Sequence, residues 1–230
     1  MNKIFVEELA LPRPNEGFAL ENTNPVAQIG EMMIKLKKAL ERYRGRKPRI
    51  MLIQGDINSM LASGLTAIKL SMRIGHVEAG LRSYDWRMPV EHNRRMIDHV
   101  SHYLFAPTEL AKRNLIEEHK WGEIFVTDNR VVDAIDMYFD KVKEVEAKVM
   151  EQIKFSEYTL VTFHRVENVD NPRTLRDFVR MLKKSPIPIV LSIHPRTRKR
   201  LQKFGFWNEV EQRILHAIYS SYDFGLVLKA

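Results

Sequence analysis

Short, continuous apolar runs alternate with longer amphipathic segments along most of this chain, and this alternation restricts the fold more than any other feature. The runs lie at residues 49–54, 74–77, 103–106, 123–127, 158–163 and 187–193. A strand that faces solvent on one side alternates apolar and polar residues, whereas these runs do not. The pattern predicts an α/β fold in which a parallel sheet is covered by helices on both faces.

The segments between the runs carry recognisable helix starts. Asn24 and Pro25 provide a cap and a first helical residue, and apolar side chains then recur every three or four residues. Side-chain caps are expected at other helix starts as well: Asn58 or Ser59, Thr108, and Asn171.

A long charged helix, predicted for residues 129–152, separates two series of strands. We therefore predict an N-terminal domain at residues 1–152 and a second domain at residues 153–230. The second domain has only about two clear strands, fewer than an independent α/β sheet needs to bury its faces. We expect this second domain to be incomplete.

Composition excludes several classes of function. There is no cysteine, which excludes disulfides, thiolate metal sites and a cysteine nucleophile, and which fits a cytoplasmic protein. There is no run of eighteen apolar residues, so no membrane-spanning helix is expected. The net charge is +8, but the basic residues are dispersed and lack interleaved aromatic residues. This favours a basic protein that handles anionic metabolites, or that is simply charged, over one that binds nucleic acid.

Residues with catalytic or anion-binding chemistry follow four of the predicted strands: Asp56, Glu78, His164 and His194. Four arginines lie close to them in sequence: Arg82, Arg94, Arg95 and Arg165. Carboxylates and imidazoles act as general acids and bases, and guanidinium groups bind phosphate through paired hydrogen bonds. Ligands of open α/β sheets bind beyond the carboxyl ends of the strands, where these residues lie. From the chemistry of these residues we predict a negatively charged substrate with a proton to transfer.

Each of these residues also has a structural interpretation. Asp56 can cap the helix that follows it, and an isolated His164 or His194 is more often structural than catalytic. Glu78 is less ambiguous, because it directly follows a buried run and precedes a glycine turn. The HExxH, P-loop, GxGxxG and nucleophile-elbow motifs are absent.

The longest distinctive block is GHVEAGLRS at residues 75–83. Others are GD and NS at residues 55–59, RMP and EHNR at 87–94, FAPTE at 105–109, VTDNRVVDA at 126–134, TFHRVEN at 162–168 and HP at 194–195. In their order and spacing, these blocks resemble the non-hydrolysing UDP-N-acetylglucosamine 2-epimerases. The resemblance runs through essentially the whole chain and is weakest before Asn24.

The resemblance implies two Rossmann-like domains that face each other across a cleft, as in GT-B glycosyltransferases, with the second domain incomplete here. It implies that UDP-GlcNAc and UDP-ManNAc interconvert by elimination and re-addition of UDP, through a 2-acetamidoglucal intermediate. It implies no metal or redox cofactor, and a homodimer. By position, it assigns catalytic roles to Asp56, Glu78, His164 and Glu91, and substrate contacts to Arg82, Asn93, Arg94, Arg165 and His194.

The chain also departs from the family pattern. A G-T-R-P-E segment that usually precedes residue 1, and a D-S-G-G-x-x-E-E segment that usually follows, have no counterpart. Val90 replaces the first glutamate of P-E-E-x-N-R, and valine cannot transfer a proton. We therefore expect this chain alone to be weakly active or inactive as an epimerase. The alternatives are a degenerate nucleotide-sugar-binding or interaction protein, or another GT-B-type glycosyltransferase.

Overall fold

The structure is a computed structural model that describes residues 12–22, 24–42, 50–118, 121–139, 153 and 155–211, and the backbone of 216–218. The chain divides into two compact units, of which the first is Pro14–Asp133 and the second includes Ala134–Ala230. The predicted boundary after residue 152 follows a segment, residues 140–152, that lies outside the described residues. That boundary stays a prediction.

The first unit contains a parallel sheet whose strands follow one another in sequence order. The strands are β1 (Ile50–Gln54), β2 (Arg73–Val77), β3 (Tyr103–Ala106) and β4 (Glu123–Val126). The helices are α1 (Pro25–Arg42), α2 (Asn58–Lys69), α3 (Pro89–Val100) and α4 (Glu109–Glu117). The predicted parallel α/β architecture is confirmed, and it brings the carboxyl ends of all four strands to one edge.

The two faces of this sheet differ in burial. On one face, Ile53 and Ile74 are buried in a cluster that α2 helps to cover. On the other face, Leu52 is 65% exposed and Phe125, which stacks on Phe105, is 42% exposed. The prediction that helices cover both faces is therefore wrong for the outer strands among the described residues. A run of apolar residues is compatible with an open face, because sequence alone does not show what packs against it.

The second unit contains a parallel sheet in the order β5 (Thr159–Thr162), β6 (Ile189–Ser192) and β7 (His216–Ile218). Its helices are α5 (Val166–Val169), α6 (Pro172–Lys184), α7 (Pro195–Lys203) and α8 (Trp207–Glu211). Leu175 and Leu182 of α6 pack with Leu191 of β6 and Leu201 of α7 in a fully buried core. This sheet has one strand more than the two that were clear from sequence.

Three of the predicted helix caps are confirmed by side-chain hydrogen bonds to the following N–H groups: Asn24, Thr108 and Asn171. The cap predicted at Asn58 or Ser59 is wrong, because α2 begins at Asn58 after an uncapped Ile57. The Asn58 side chain instead accepts a hydrogen bond from Asn93 Nδ2 at 3.1 Å. Of the helix predicted for 129–152, the structure describes a helical segment at 130–139.

Candidate functional site

Two polar turns lie side by side at the carboxyl edge of the first sheet. One turn follows β1 and carries Asp56, and the other follows β2 and carries Glu78. They are adjacent because β1 and β2 pair in parallel, and the Gly55 N–H donates to the Val77 carbonyl at 3.3 Å. Two carboxylates predicted from sequence to serve catalysis therefore occupy one edge of one sheet.

Glu78 has an unusual backbone conformation and an unusual charge environment. Its φ of 71° lies in the left-handed region, which is strained for a residue other than glycine and is often found at functional sites. Its half-buried carboxylate accepts a hydrogen bond from the neutral Gln54 Nε2 at 3.2 Å. Within the described ranges it forms no ion pair, whereas Asp56 and Asp98 each pair with an arginine. Among the described residues, no cation lies within ion-pair distance of the Glu78 carboxylate.

The Asp56 turn is held against the N-terminal half of α3 by an ion pair and by hydrogen bonds. Arg94 Nη2 contacts Asp56 Oδ2 in an ion pair. The buried Asn93 donates through Nδ2 to the Asp56 carbonyl at 2.9 Å and to Asn58 Oδ1 at 3.1 Å. Because both residues come from one helix, α3 fixes the direction of the Asp56 carboxylate.

Arg82 lies beneath these turns, with its side chain fully removed from solvent. Its Nε and Nη2 each donate to the Glu118 carboxylate at 2.7 Å, and Nη2 also lies 2.8 Å from Asp98 Oδ2. Its Nη1 donates to the Leu81 carbonyl at 2.7 Å. Burial lowers the pKa of Arg82, but the hydrogen bonds and charges of Glu118 and Asp98 outweigh it, so the net pKa lies above its ordinary value. In this conformation the guanidinium is directed at protein carboxylates.

Glu91 extends the same network to the loop between β2 and α3. Its carboxylate is fully buried and accepts hydrogen bonds from Ser83 N and Oγ at 2.9 Å and from Arg95 Nε at 3.0 Å. Burial raises the pKa of Glu91, but the bonds from Ser83 and Arg95 and the charge of Arg94 outweigh it, so the net shift is downward. Arg95 Nη1 also donates to Glu118 at 2.7 Å, which joins Glu91 to Arg82.

His76 and Asp98 form a buried pair that sequence reasoning missed. His76 Nδ1 lies 2.7 Å from Asp98 Oδ1, and both side chains are at most 1% exposed. A polar residue inside an apolar run was the available signal for His76. For Asp98 it was the spacing on α3, because Glu91, Arg94, Arg95 and Asp98 recur at helical intervals on one face.

The second unit also gathers functional residues at the carboxyl ends of its strands. His164 follows β5 and His194 follows β6, and their ring centroids lie 5.9 Å apart. His194 caps α7, since its Nδ1 accepts from Arg196 N at 3.1 Å. Arg165, at the start of α5, is exposed. Two imidazoles and a guanidinium therefore lie at the same edge of this sheet.

Asp170, at the end of α5, is held by two arginines of α7. Arg196 and Arg200 each donate two hydrogen bonds to its carboxylate, at 2.7–3.0 Å. The hydrogen bonds from Arg196 and Arg200 hold the pKa of Asp170 well below its ordinary range. These bonds fix α7, and with it His194, relative to α5.

The predicted site residues therefore fall into two groups, one in each unit. Asp56, Glu78, Asn93 and Arg94 meet at the edge of the first sheet, with Arg82 and Glu91 buried beneath them. His164, Arg165 and His194 meet in the second unit. No group of three or more histidine or acidic side chains among the described residues could hold a metal ion. No helix in the described ranges is long and apolar enough to cross a membrane.

Comparisons with known proteins give a consistent result. The family model described as UDP-N-acetylglucosamine 2-epimerase matches residues 1–224. A UDP-N-acetylglucosamine 2-epimerase of Methanocaldococcus jannaschii is 41% identical over 219 residues, which are 92% of this chain and 59% of that protein. One from Methanococcus maripaludis is 41% identical over 224 residues, 94% of this chain and 60% of that protein.

A solved structure gives the same similarity in three dimensions. It is the Methanocaldococcus jannaschii UDP-GlcNAc 2-epimerase in complex with UDP-GlcNAc and UDP, with a TM-score of 0.86 and 36% sequence identity. The match covers 98% of this chain and 64% of that chain. This chain thus spans about three fifths of the length of the relatives that it matches.

Proposed function

This chain belongs to the UDP-N-acetylglucosamine 2-epimerase family, and on that premise we propose that it binds UDP-GlcNAc and UDP-ManNAc and acts on C2 of the sugar. In the proposed reaction a base removes the C2 proton and the bond from C1 to the UDP oxygen breaks. UDP leaves with the bonding electrons, and a double bond forms between C1 and C2. Addition of a proton at C2 from the opposite face and return of UDP to C1 give the epimer.

The environment of Glu78 is the observation that carries this proposal. A base needs a carboxylate that is positioned and can accept a proton. Glu78 is held by a strained backbone and by Gln54, and it has no cationic partner among the described residues. We assign it to proton transfer at C2. Asp56, already paired with Arg94, is assigned to orient the sugar and support the transfer.

Residues of the second unit are assigned to the departing diphosphate. Elimination of UDP places negative charge on the leaving group, which positive groups and hydrogen-bond donors stabilise. His164, Arg165 and His194 supply such groups at the carboxyl edge of β5 and β6. Buried Arg82 and Glu91 are assigned to shape the loop from Ser83 to α3, in place of the substrate contact and proton transfer expected from sequence.

Val90 favours a second candidate function, which is binding of the nucleotide sugar with little turnover. Val90 lines an open cavity with Ile57, Asn58 and Asn93, next to the Asp56 turn. An apolar wall there lacks the proton-transfer group of the family pattern. Loss of a general acid or base lowers rates by roughly a hundredfold to ten-thousandfold. We therefore propose that turnover by this chain is slow, and the family match argues against the glycosyltransferase alternative.

The proposal is tested by exchange of the C2 proton of UDP-GlcNAc in heavy water, followed by proton NMR. This assay detects proton removal even when no net epimerisation occurs. We expect slow exchange with the unchanged chain and at least a roughly hundredfold reduction with Glu78→Gln. Glu123→Gln, on exposed β4, is the matched control and should leave exchange unchanged. Equal exchange with Glu78→Gln and the unchanged chain would contradict the assignment of Glu78.

The proposed function also includes an oligomeric state and a cellular location. We infer a homodimer that works in the cytoplasm without nucleic acid, as the family resemblance and the dispersed basic residues suggest. Light scattering tests the assembly directly. A mass of 27.0 kDa at high concentration, the mass of one chain, would contradict the homodimer.

A further inference from the structure

His76 lies within β2, between the two turns that carry the proposed reactive carboxylates. Its imidazole is 1% exposed, so it cannot reach solvent or a substrate in this conformation. Its two ring nitrogens face two different groups. Nε2 lies 3.0 Å from the Gly55 carbonyl oxygen, and Nδ1 lies 2.7 Å from Asp98 Oδ1.

These contacts connect the turns through one side chain. Gly55 immediately precedes Asp56. Asp98, on the other side of the imidazole, accepts the Gly80 N–H through Oδ2 at 3.2 Å, and Gly80 belongs to the turn that begins at Glu78. A continuous path of hydrogen-bonding groups therefore runs from the Asp56 turn, through His76 and Asp98, to the Glu78 turn.

The chemistry of the partners fixes how many protons the ring must carry. A carbonyl oxygen and a carboxylate oxygen only accept hydrogen bonds, and a neutral imidazole has only one N–H to donate. Both contacts are hydrogen bonds only when both ring nitrogens carry a proton. Asp98 then lies between two cations, the His76 imidazolium and Arg82, and each buried charge has an oppositely charged neighbour.

We propose that His76 is a positioning residue, which as a buried imidazolium holds the Asp56 and Glu78 turns at a fixed separation. The inference rests on the proposed function for its catalytic consequence, though not for the state of the ring. His76 neither receives nor delivers the substrate proton. It acts by keeping two carboxylates from adjacent strands aligned with the same sugar carbon.

The state of the ring is tested without any substrate. The whole chain is labelled with nitrogen-15 in histidine, and long-range proton–nitrogen NMR spectra are recorded near neutral pH. His76→Phe identifies the signals by their loss. We expect both His76 nitrogens to show the chemical shifts of protonated nitrogen. One unprotonated nitrogen would overturn the proposal, whatever the chain does to UDP-GlcNAc.

The positioning role is tested with two variants that each keep one arm of the path. His76→Asn retains a donor near Nδ1, towards Asp98, and His76→Gln retains a donor near Nε2, towards Gly55. His102→Gln is the control, because His102 Nδ1 accepts from the Ile74 N–H outside the path. We expect either His76 variant to lower the kcat of C2 exchange by roughly tenfold, the equivalent of one hydrogen bond, with KM unchanged.

If His76 had only a structural role, its variants would lower the melting temperature but would not lower kcat at an unchanged KM. Amide hydrogen exchange provides a readout at the turn itself. The Gly80 N–H should exchange roughly tenfold faster in His76→Phe than in His102→Gln, because Asp98 loses its orienting partner. Unchanged kcat and unchanged Gly80 protection in the His76 variants would overturn the proposal. Absence of C2 exchange in the unchanged chain would contradict the proposed function, while the NMR and amide measurements would still decide the role of His76.

Discussion

The ion-pair networks next to the predicted site residues differ in burial between the two units. In Pro14–Asp133, Arg82 and Asp98 face each other with side chains that are fully buried. In the second unit, Asp170 and Arg196 pair at the surface, with side chains 30% and 41% exposed. Loss of one member of a buried ion pair strongly destabilises the folded state, whereas an exposed ion pair contributes little to stability. The first unit thus holds this ion pair in its interior, whereas the second unit holds its counterpart at the surface.

The largest expected effect comes from removing a buried cation. Arg82→Leu leaves Asp98 and Glu118 without their shared guanidinium, so we expect a loss of about 3–5 kcal/mol in the free energy of unfolding. Arg196→Leu is the counterpart in the second unit, where Asp170 keeps Arg200, and it should lose no more than about 1 kcal/mol. Urea unfolding measures both. Similar losses for the two variants would remove the contrast between the units.

Two glycines with similar backbone angles provide a second comparison. Gly80 has a φ of 79° and Gly205 a φ of 75°, so alanine is strained at either position. A Cβ at Gly80 would lie 2.2 Å from the Ala111 carbonyl oxygen, whereas one at Gly205 would meet nothing within 4 Å. Gly205→Ala should lower the free energy of unfolding by roughly 1–2 kcal/mol through backbone strain alone. Gly80→Ala should lower it by about 3 kcal/mol or more, because the backbone must also move. Equal losses in thermal unfolding would contradict the close approach at the Glu78 turn.

The third expected effect is a gain in activity in the first unit. Val90→Glu restores a carboxylate beside the Asp56 turn, and it should raise C2 exchange by roughly tenfold to a hundredfold. Val90→Gln has a similar shape but transfers no proton at neutral pH, so it should leave exchange at the level of the unchanged chain. If both variants raise exchange equally, polarity is the cause and proton transfer at this position is excluded.

The comparison also separates what sequence could predict from what it could not. The strands, their parallel pairing and the side-chain caps at Asn24, Thr108 and Asn171 follow from local patterns, and the structure confirms them. The position of Glu78 at the end of a strand could also be predicted from sequence. The roles of Asn58 and Asp98 depend on residues far away in sequence, Asn93 and His76, so no local pattern could assign them. Tertiary hydrogen bonds decided both.

Arg82 illustrates the same limit for the site. A guanidinium near a predicted phosphate site is as compatible with a ligand contact as with a buried ion pair, because the residue type is the same in both. The pairing with Glu118, which lies 36 residues away along the chain, distinguishes them only once the fold is known.

The smallest expected effect is a pH dependence in the second unit. Hydrogen bonds from Arg196 and Arg200 depress the folded-state pKa of Asp170 below its ordinary value of 3.8. A depressed pKa means that the folded state binds the proton less readily than the unfolded state does. The stabilisation is therefore complete above the ordinary value and is lost as the pH falls from there towards the folded-state pKa.

Because the pair is partly exposed, we expect Asp170→Asn to lower the free energy of unfolding by at most about 1 kcal/mol at neutral pH. That difference should shrink below about pH 4 when both proteins are unfolded by urea across the acid range. A difference that stays constant with pH would mean that Asp170 stabilises α7 through packing, and the surface character assigned to the second unit would no longer hold.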